Sequence, residues 1–268
     1  MPHRKYTTQF EDIKEMLKSL TAKAIMTPRQ NFCTLDPNLE VSVAEKILKD
    51  RRFSAAPIGD TQIHRYLRLE ILIQNRDVQI ECGKLAEEIQ YRDQITEDLS
   101  IEELINRFAS RDGETPLFIL RGKSVVGLVT AADLDKIPVK IYFFAFISVL
   151  ESLLISIIGR DYINYKLLLD KPNAVSNRCK NCEGELMGLE EFNYLMTREI
   201  FEIVSKSSIK TIIGITEEEI KDFKKFRNRV AHDNYLIVNT DDVKKLKTKQ
   251  EKIASYITAL QKETWLNP

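Results

Sequence analysis

Apolar residues recur at helical spacing from the start of the chain. Phe10, Ile13, Leu17 and Leu20 mark an amphipathic lead-in helix within residues 1–20. The next stretch repeats itself. Leu39, Val41, Ala44 and Leu48 return about sixty residues later as Leu99, Ile101, Leu104 and Phe108. Each of these helices runs toward a short apolar strand entered through a proline, at Pro57 and at Pro116. In the second copy the strand from Pro116 to Leu120 meets the turn Arg121, Gly122, Lys123, then the β-branched run Ser124–Val129, then a helix start at Thr130. Each copy therefore reads as strand, helix, strand, strand, helix, over about 21–80 and 81–137. Such a unit cannot cover its sheet alone, so the two copies are expected to pack around a pseudo-two-fold axis.

Beyond Pro138 the pattern changes to helices alone, predicted at 139–159, about 188–206, about 216–231 and 241–264. Residues 170–187 are rich in turn formers and poor in apolar periodicity, which predicts a long loop insert. The fold class is thus an α+β repeat pair, 21–137, followed by an all-α bundle, 138–268.

Composition narrows the class further. A chain of 268 residues suits two domains of ordinary size. Forty basic residues balance forty acidic ones, so no global field draws the chain to nucleic acid or anionic lipid, and any such binding must be local. With 43% hydrophobic and 30% charged residues, 9 Gly and 8 Pro, it is neither collagenous nor disordered throughout. Four cysteines and a charged start with no apolar stretch predict reduced thiols and a cytoplasmic location.

Two strings carry chemistry. In the first, Gly127 precedes Thr130 and Asp133. A threonine opening a helix after a strand caps free N–H groups and leaves its hydroxyl at a positive end where phosphate is welcome. Asp133, one turn on, could accept two hydrogen bonds from a ribose diol, or could simply complete the cap. With Thr27, Pro28 and Arg29 and the strand entered at Thr115 and Pro116, this stretch resembles the CBS (cystathionine β-synthase) domain pair over roughly residues 20–137. The resemblance implies an adenine nucleotide (AMP, ADP or ATP) as regulatory ligand. Asp133 would meet the ribose, Thr130 the phosphate or ribose, and the base would lie near Thr115 and Pro116. The first repeat has Arg68 and Ile71 where the second has Thr130 and Asp133, so one nucleotide per pair is expected.

The second string lies in the predicted third helix of the bundle. Phe223, Phe226 and Val230 form a buried stripe, and Arg227 falls at its edge, where it needs a partner or an interface. Asn228 and His232 are four apart, close enough for the amide to hold the imidazole if the helix persists. His232 is one of only three histidines. Arg227, Asn228 and His232 resemble the Arg-polar-x-x-x-His motif of HEPN ribonucleases, a likeness that covers about 138–268. It implies metal-independent cleavage of single-stranded RNA by 2′-hydroxyl attack on the adjacent phosphate, in a cleft shared by a homodimer. It also brings the toxin or defence context, with a possible protein antitoxin or regulator. The alternative is a non-catalytic nucleotide sensor whose bundle serves dimerisation or partner binding.

Residues 141–158 approach membrane-spanning length, but Glu151 sits in the middle and Ser148, Glu151 and Ser152 form a polar stripe, which predicts a bundle core helix or dimer seam and no membrane. Glu151 then needs a cation, and Arg227 is the natural one. Cys179 and Cys182 have the spacing of half a zinc site, yet a closed site needs four ligands, so no metal is expected. The lysines at 244, 245, 247, 249 and 252 suit either an RNA path or a solvated helix face.

Overall fold

The structure, a computed structural model, describes residues 13–266 apart from 14, 60–62, 112–114, 123, 183–194, 233–234 and 238. Phe10 and the start of the lead-in helix lie outside the described residues; residues 15–18 are helical and Leu17 is buried. The chain divides into two compact units. One comprises Lys18–Val139 with Leu236–Lys247, and the other Lys140–Tyr235 with the chain from Thr248 and that up to Leu17. The boundary expected near 137 lies within three residues of the break after Val139, whereas residues up to Leu17, expected as a lead-in helix of their own, group with the helical unit and residues 236–247, expected in the helical bundle, group with the repeats. A bond within that unit ties them there: the Leu236 N–H donates to Asp135 Oδ1 at 2.5 Å.

The repeat unit contains α1 (Ala22–Ile25), β1 (Thr27–Pro28), α2 (Val41–Asp50), β2 (Ala55–Ile58), β3 (Arg65–Arg68), α3 (Leu69–Gln74), β4 (Glu87–Glu88), β5 (Gln94–Ile95), α4 (Ile101–Ala109), β6 (Leu117–Arg121) and β7 (Ser124–Val129). Its strands form two sheets, ordered β1-β7-β6-β5 and β2-β3-β4. Helix α4 illustrates why these elements form. The Ser100 hydroxyl accepts the Glu103 N–H at 3.2 Å, which satisfies an end donor, and Ile101, Leu104, Ile105 and Phe108 all face the core. Each such side chain contributes roughly 1.5–3 kcal/mol on burial.

The pairing shows how the repeats hold each other. β1 leads the first repeat yet pairs with β7 of the second, Thr27 opposite Leu128, while β4 leads the second and pairs with β3 of the first, Tyr66 opposite Glu87. Each repeat thereby lends its leading strand to the other's sheet. Two isolated bridges follow the same exchange, Thr21 with Ser100 and Glu40 with Glu81. Tyr66 and Phe118 meet between the sheets with ring centroids 5.2 Å apart, in a cluster with Ala55, Ile63, Val125 and Leu128. The expected helix at Thr130 is a five-residue 3-10 turn, Ala131–Asp135, because Lys136 is extended and the next helix restarts at Ile137 with Pro138 in its first turn, where a missing N–H costs nothing.

The helical unit is built on α5 (Ile137–Arg160) from Lys140 onward, α6 (Tyr162–Lys166), α7 (Pro172–Cys182), α8 (Thr197–Lys206), α9 (Ile209–Ile213), α10 (Glu217–Ala231) and α11 (Thr240–Leu266) from Thr248 onward. α5 is long and apolar enough to cross a membrane by length and composition, and half of its most apolar window is buried by the protein itself. Phe143 of α5 packs edge-on against Phe226 of α10 at 5.2 Å, and Phe201 of α8 lies 4.8 Å from Phe223. The loop expected over 170–187 is a helix as far as Cys182. Among its described residues Val175 is fully buried, and the helix holds by polar ties such as Lys166 to Ser176 at 2.7 Å, so it leaves no apolar stripe in the sequence. Residues 183–187 and the expected helix start at 188 lie outside the described residues.

Candidate functional site

Helix α10 begins with a reciprocal cap. The Glu219 N–H donates to the Thr216 hydroxyl at 3.2 Å and the Thr216 N–H to the Glu219 carboxylate at 2.7 Å. From that start the helix turns Ile220, Phe223, Phe226 and Val230 into the core and leaves Arg227 half-buried at the edge. It ends at Ala231, so His232 is the C-cap residue, held through its N–H to the Asn228 carbonyl at 3.0 Å. Asn228 and His232 are exposed, and their side chains make no hydrogen bond to each other. The expected amide clamp on the imidazole does not form because the helix stops one residue short.

Arg227, Asn228 and His232 line one cleft of about 720 Å³ together with Glu151, Thr197 and Arg178. Arg227 Nε lies 4.0 Å from Glu151 Oε1, the outer edge of an ion pair, and that nitrogen has no hydrogen-bond partner. Glu151 Oε1 instead accepts the Thr197 hydroxyl at 2.7 Å. Burial pushes the Glu151 carboxyl above the usual carboxylate range, against the opposing pull of Thr197 and Arg227. The expected partnership of Glu151 with Arg227 is therefore present in space, joined by a hydroxyl on the acid that sequence reasoning missed. Thr197 lies 46 residues from Glu151, and no local pattern links them. On the far wall Arg178 pairs with Glu199. Chemically the cleft presents guanidiniums and an imidazole able to meet phosphate oxygens and move a proton.

The lysines of α11 have other employment: Lys249 pairs with Asp222, Lys252 with Glu219, and Lys245 with Asp242. That favours the solvated, ion-paired face. Cys33 and Cys82 are buried thiols, Cys82 Sγ lying 3.3 Å from the Asp36 carbonyl, and burial pushes that thiol up. Among the described residues no three His, Cys, Asp or Glu side chains gather as a metal site.

In the repeat unit, Thr130 and Asp133 come together, but each serves the other. Asp133 Oδ2 accepts the Thr130 N–H at 2.6 Å and its hydroxyl at 2.9 Å, while Oδ1 takes Lys136 Nζ at 2.7 Å. Lys136 Nζ also donates to the Ile25 carbonyl at 2.6 Å, which ties this turn to the segment entering β1. Gly127 lets the strands approach closely here: a Cβ would stand 2.7 Å from Met26 Sδ and 3.1 Å from the Thr27 carbonyl oxygen, so its neighbours would have to shift. The buried Pro116 and half-buried Thr115 precede Leu117, which pairs with Val129, so they share a sheet end with Thr130. Thr115 looks elsewhere, bonding Tyr66, whose phenol also meets Glu87; burial first, and Glu87 second, push that phenol up to about 12. Arg68 in turn donates to Glu87 at 3.0 Å. In the first repeat Arg68, which stands where the second has Thr130, instead joins Glu87 and Tyr66 in a network.

No protein-family model matches the chain, and no curated protein matches it. Solved structures similar to part of it include a haemolysin-like protein containing a CBS domain from Oenococcus oeni PSU, at 12% identity over 47% of this chain and 94% of that one, TM-score 0.38. CBSX2 in complex with AMP is 16% identical over 45% of this chain and 97% of that one, TM-score 0.39. The CBS domain pair of MJ0100, in complex with 5′-methylthioadenosine and S-adenosyl-L-methionine, is 16% identical over 42% of this chain and 91% of that one, TM-score 0.36.

Proposed function

We propose that the chain is an adenine-nucleotide-regulated endoribonuclease that works as a dimer and needs no metal. The observation that carries this reading is the convergence of Arg227, Asn228 and His232 on one 720 Å³ cleft. In the reaction, the 2′-oxygen of the substrate ribose bonds to the adjacent phosphorus, its proton passes to a base, and the 5′-oxygen leaves with a proton. A 2′,3′-cyclic phosphate and a 5′-hydroxyl remain. His232, exposed at the helix end, moves a proton at one of those oxygens. Arg227 neutralises charge growing on the non-bridging oxygens, and Glu151 with Thr197 orients its guanidinium. A second copy supplies the other Arg and His. The test is cleavage of a single-stranded RNA in EDTA by the full chain and by His232→Ala and Arg227→Ala, with product ends identified. Loss of at least about a hundredfold in both variants supports the reading; equal cleavage by all three removes these residues from the chemistry.

In the same reading Thr130 and Asp133 hold the ribose and phosphate of the regulatory nucleotide, supported by the exchanged leading strands and the repeat's strand, helix, strand, strand order. Ribose hydroxyls can reach Asp133 only by displacing Lys136 or Thr130, so binding would loosen this turn. One observation favours the alternative of a non-catalytic sensor: Arg227 already has an acid beside it, Glu151 at 4.0 Å. Absence of cleavage by the unmodified chain, with partner binding retained, would select it.

A further inference from the structure

We propose that the chain at Leu236 is latched to the Ala131–Asp135 turn, and that an adenine nucleotide taking Asp133 opens the latch. The inference rests on the reading of Thr130 and Asp133 as the nucleotide's seat and adds the regulation that follows from it. The latch is one hydrogen bond within the repeat unit, donated by the Leu236 N–H to Asp135 Oδ1 at 2.5 Å. The Leu236 side chain is buried, which keeps water from competing freely for that amide. In the sequence Leu236 follows His232 by four positions, so the latch holds the chain shortly after the candidate catalytic imidazole.

The position of Asp135 depends on its neighbours. Two backbone bonds close the turn, from the Asp133 N–H to the Thr130 carbonyl at 3.0 Å and from the Lys136 N–H to the Asp133 carbonyl at 3.1 Å. Bonds of this 3-10 type are poorly aligned, so side-chain ties carry much of the order. Lys136 Nζ supplies two of them, to Asp133 Oδ1 at 2.7 Å and to the Ile25 carbonyl at 2.6 Å. The residue directly after Asp135 is thereby clamped both to the turn and to the segment entering β1. Asp133 is the weak point. A carboxylate has about four acceptor positions. On Asp133 the Thr130 N–H, the Thr130 hydroxyl and Lys136 occupy three of them. A ribose diol brings two donors, so one partner must leave. The Thr130 N–H is fixed by the backbone that leaves β7, whereas the Lys136 side chain is 42% exposed and finds water readily. Lys136 yields first, the Ile25 carbonyl is released with it, and Asp135 loses the clamp on its neighbour.

The test is amide hydrogen exchange of the full chain, resolved at Leu236, with and without AMP or ATP, for the unmodified protein, Lys136→Met and Asp135→Ala. Calorimetry on the unmodified protein and Asp133→Asn measures nucleotide binding alongside. A saturating nucleotide and Lys136→Met are each expected to speed exchange at Leu236 at least about tenfold, with the amides of β6 unchanged. Asp135→Ala should speed it as much without ligand, and nucleotide should add nothing further. If Lys136→Met frees Leu236 while neither nucleotide binds, or while both bind Asp133→Asn equally well, the latch is supported and the nucleotide reading of Asp133 fails. Exchange at Leu236 unmoved by Lys136→Met, or unmoved by a bound nucleotide that Asp133→Asn loses, overturns the proposal, as does a rise shared by the β6 amides.

Discussion

Replacing Arg111 by methionine keeps the bulk of the side chain and removes its charge. Asp93, 2% exposed, then retains one backbone donor, Gln90 N–H at 3.1 Å. Arg92 at 4.0 Å cannot take over, because its side chain is 82% exposed and water screens it. Leaving a buried carboxylate without its cation costs about 3–5 kcal/mol. For a unit of this size, that corresponds to a fall in Tm on the order of 10 °C. Adding Asp93→Asn to the same protein removes the stranded charge while keeping an oxygen for Gln90, so the double variant should recover more than half of the loss. Arg107→Met, which removes a guanidinium with no ion pair among the described residues, should stay within about 0.5 kcal/mol of the unmodified protein. Urea and thermal unfolding of the four proteins decide the matter. A loss below about 1 kcal/mol for Arg111→Met, or a double variant no more stable than the single one, would refute the reasoning.

Gly83→Ala should cost roughly 1–3 kcal/mol in urea unfolding, since a Cβ would stand 2.7 Å from the Pro37 carbonyl oxygen and 2.8 Å from its Cβ; a neutral substitution would contradict that packing. Lys252, with help from the Thr216 backbone, holds the Glu219 carboxyl down at about 2, so its stabilisation is present above the ordinary carboxylate pKa and lost as pH falls toward 2. Lys252→Met should therefore flatten acid unfolding in that window, and an unchanged acid limb would count against the pairing. Glu151 behaves with the opposite sign: burial raises its pKa, so its contribution is present in acid and lost as pH rises through the folded value. Glu151→Gln should gain stability relative to the unmodified chain between acidic and neutral pH, and parallel pH curves for the two would exclude this account. Under the proposed ribonuclease reading, Thr197→Val should lower RNA cleavage less than Arg227→Ala does, with Thr197→Ser restoring it, because the hydroxyl acts only through Glu151; failure of serine to restore it would remove that positioning role.

Local periodicity made the repeats, the capped helix α10 and the apolar α5 legible in the sequence, because each depends on residues three or four apart or on a pattern that recurs. It also placed Arg227 at the edge of its stripe, and so called for the acid that stands 4.0 Å away. What only tertiary structure decided has long sequence separation: the exchange of β1 and β4 between repeats, the Thr197 hydroxyl on Glu151, and the employment of Asp133 by Lys136 and Thr130. Helix α7 was hidden for another reason, since one buried valine and a few polar ties leave no periodic trace. The pair of buried Asp93 with Arg111, 18 residues apart, was invisible too, since only folding brings their two segments together.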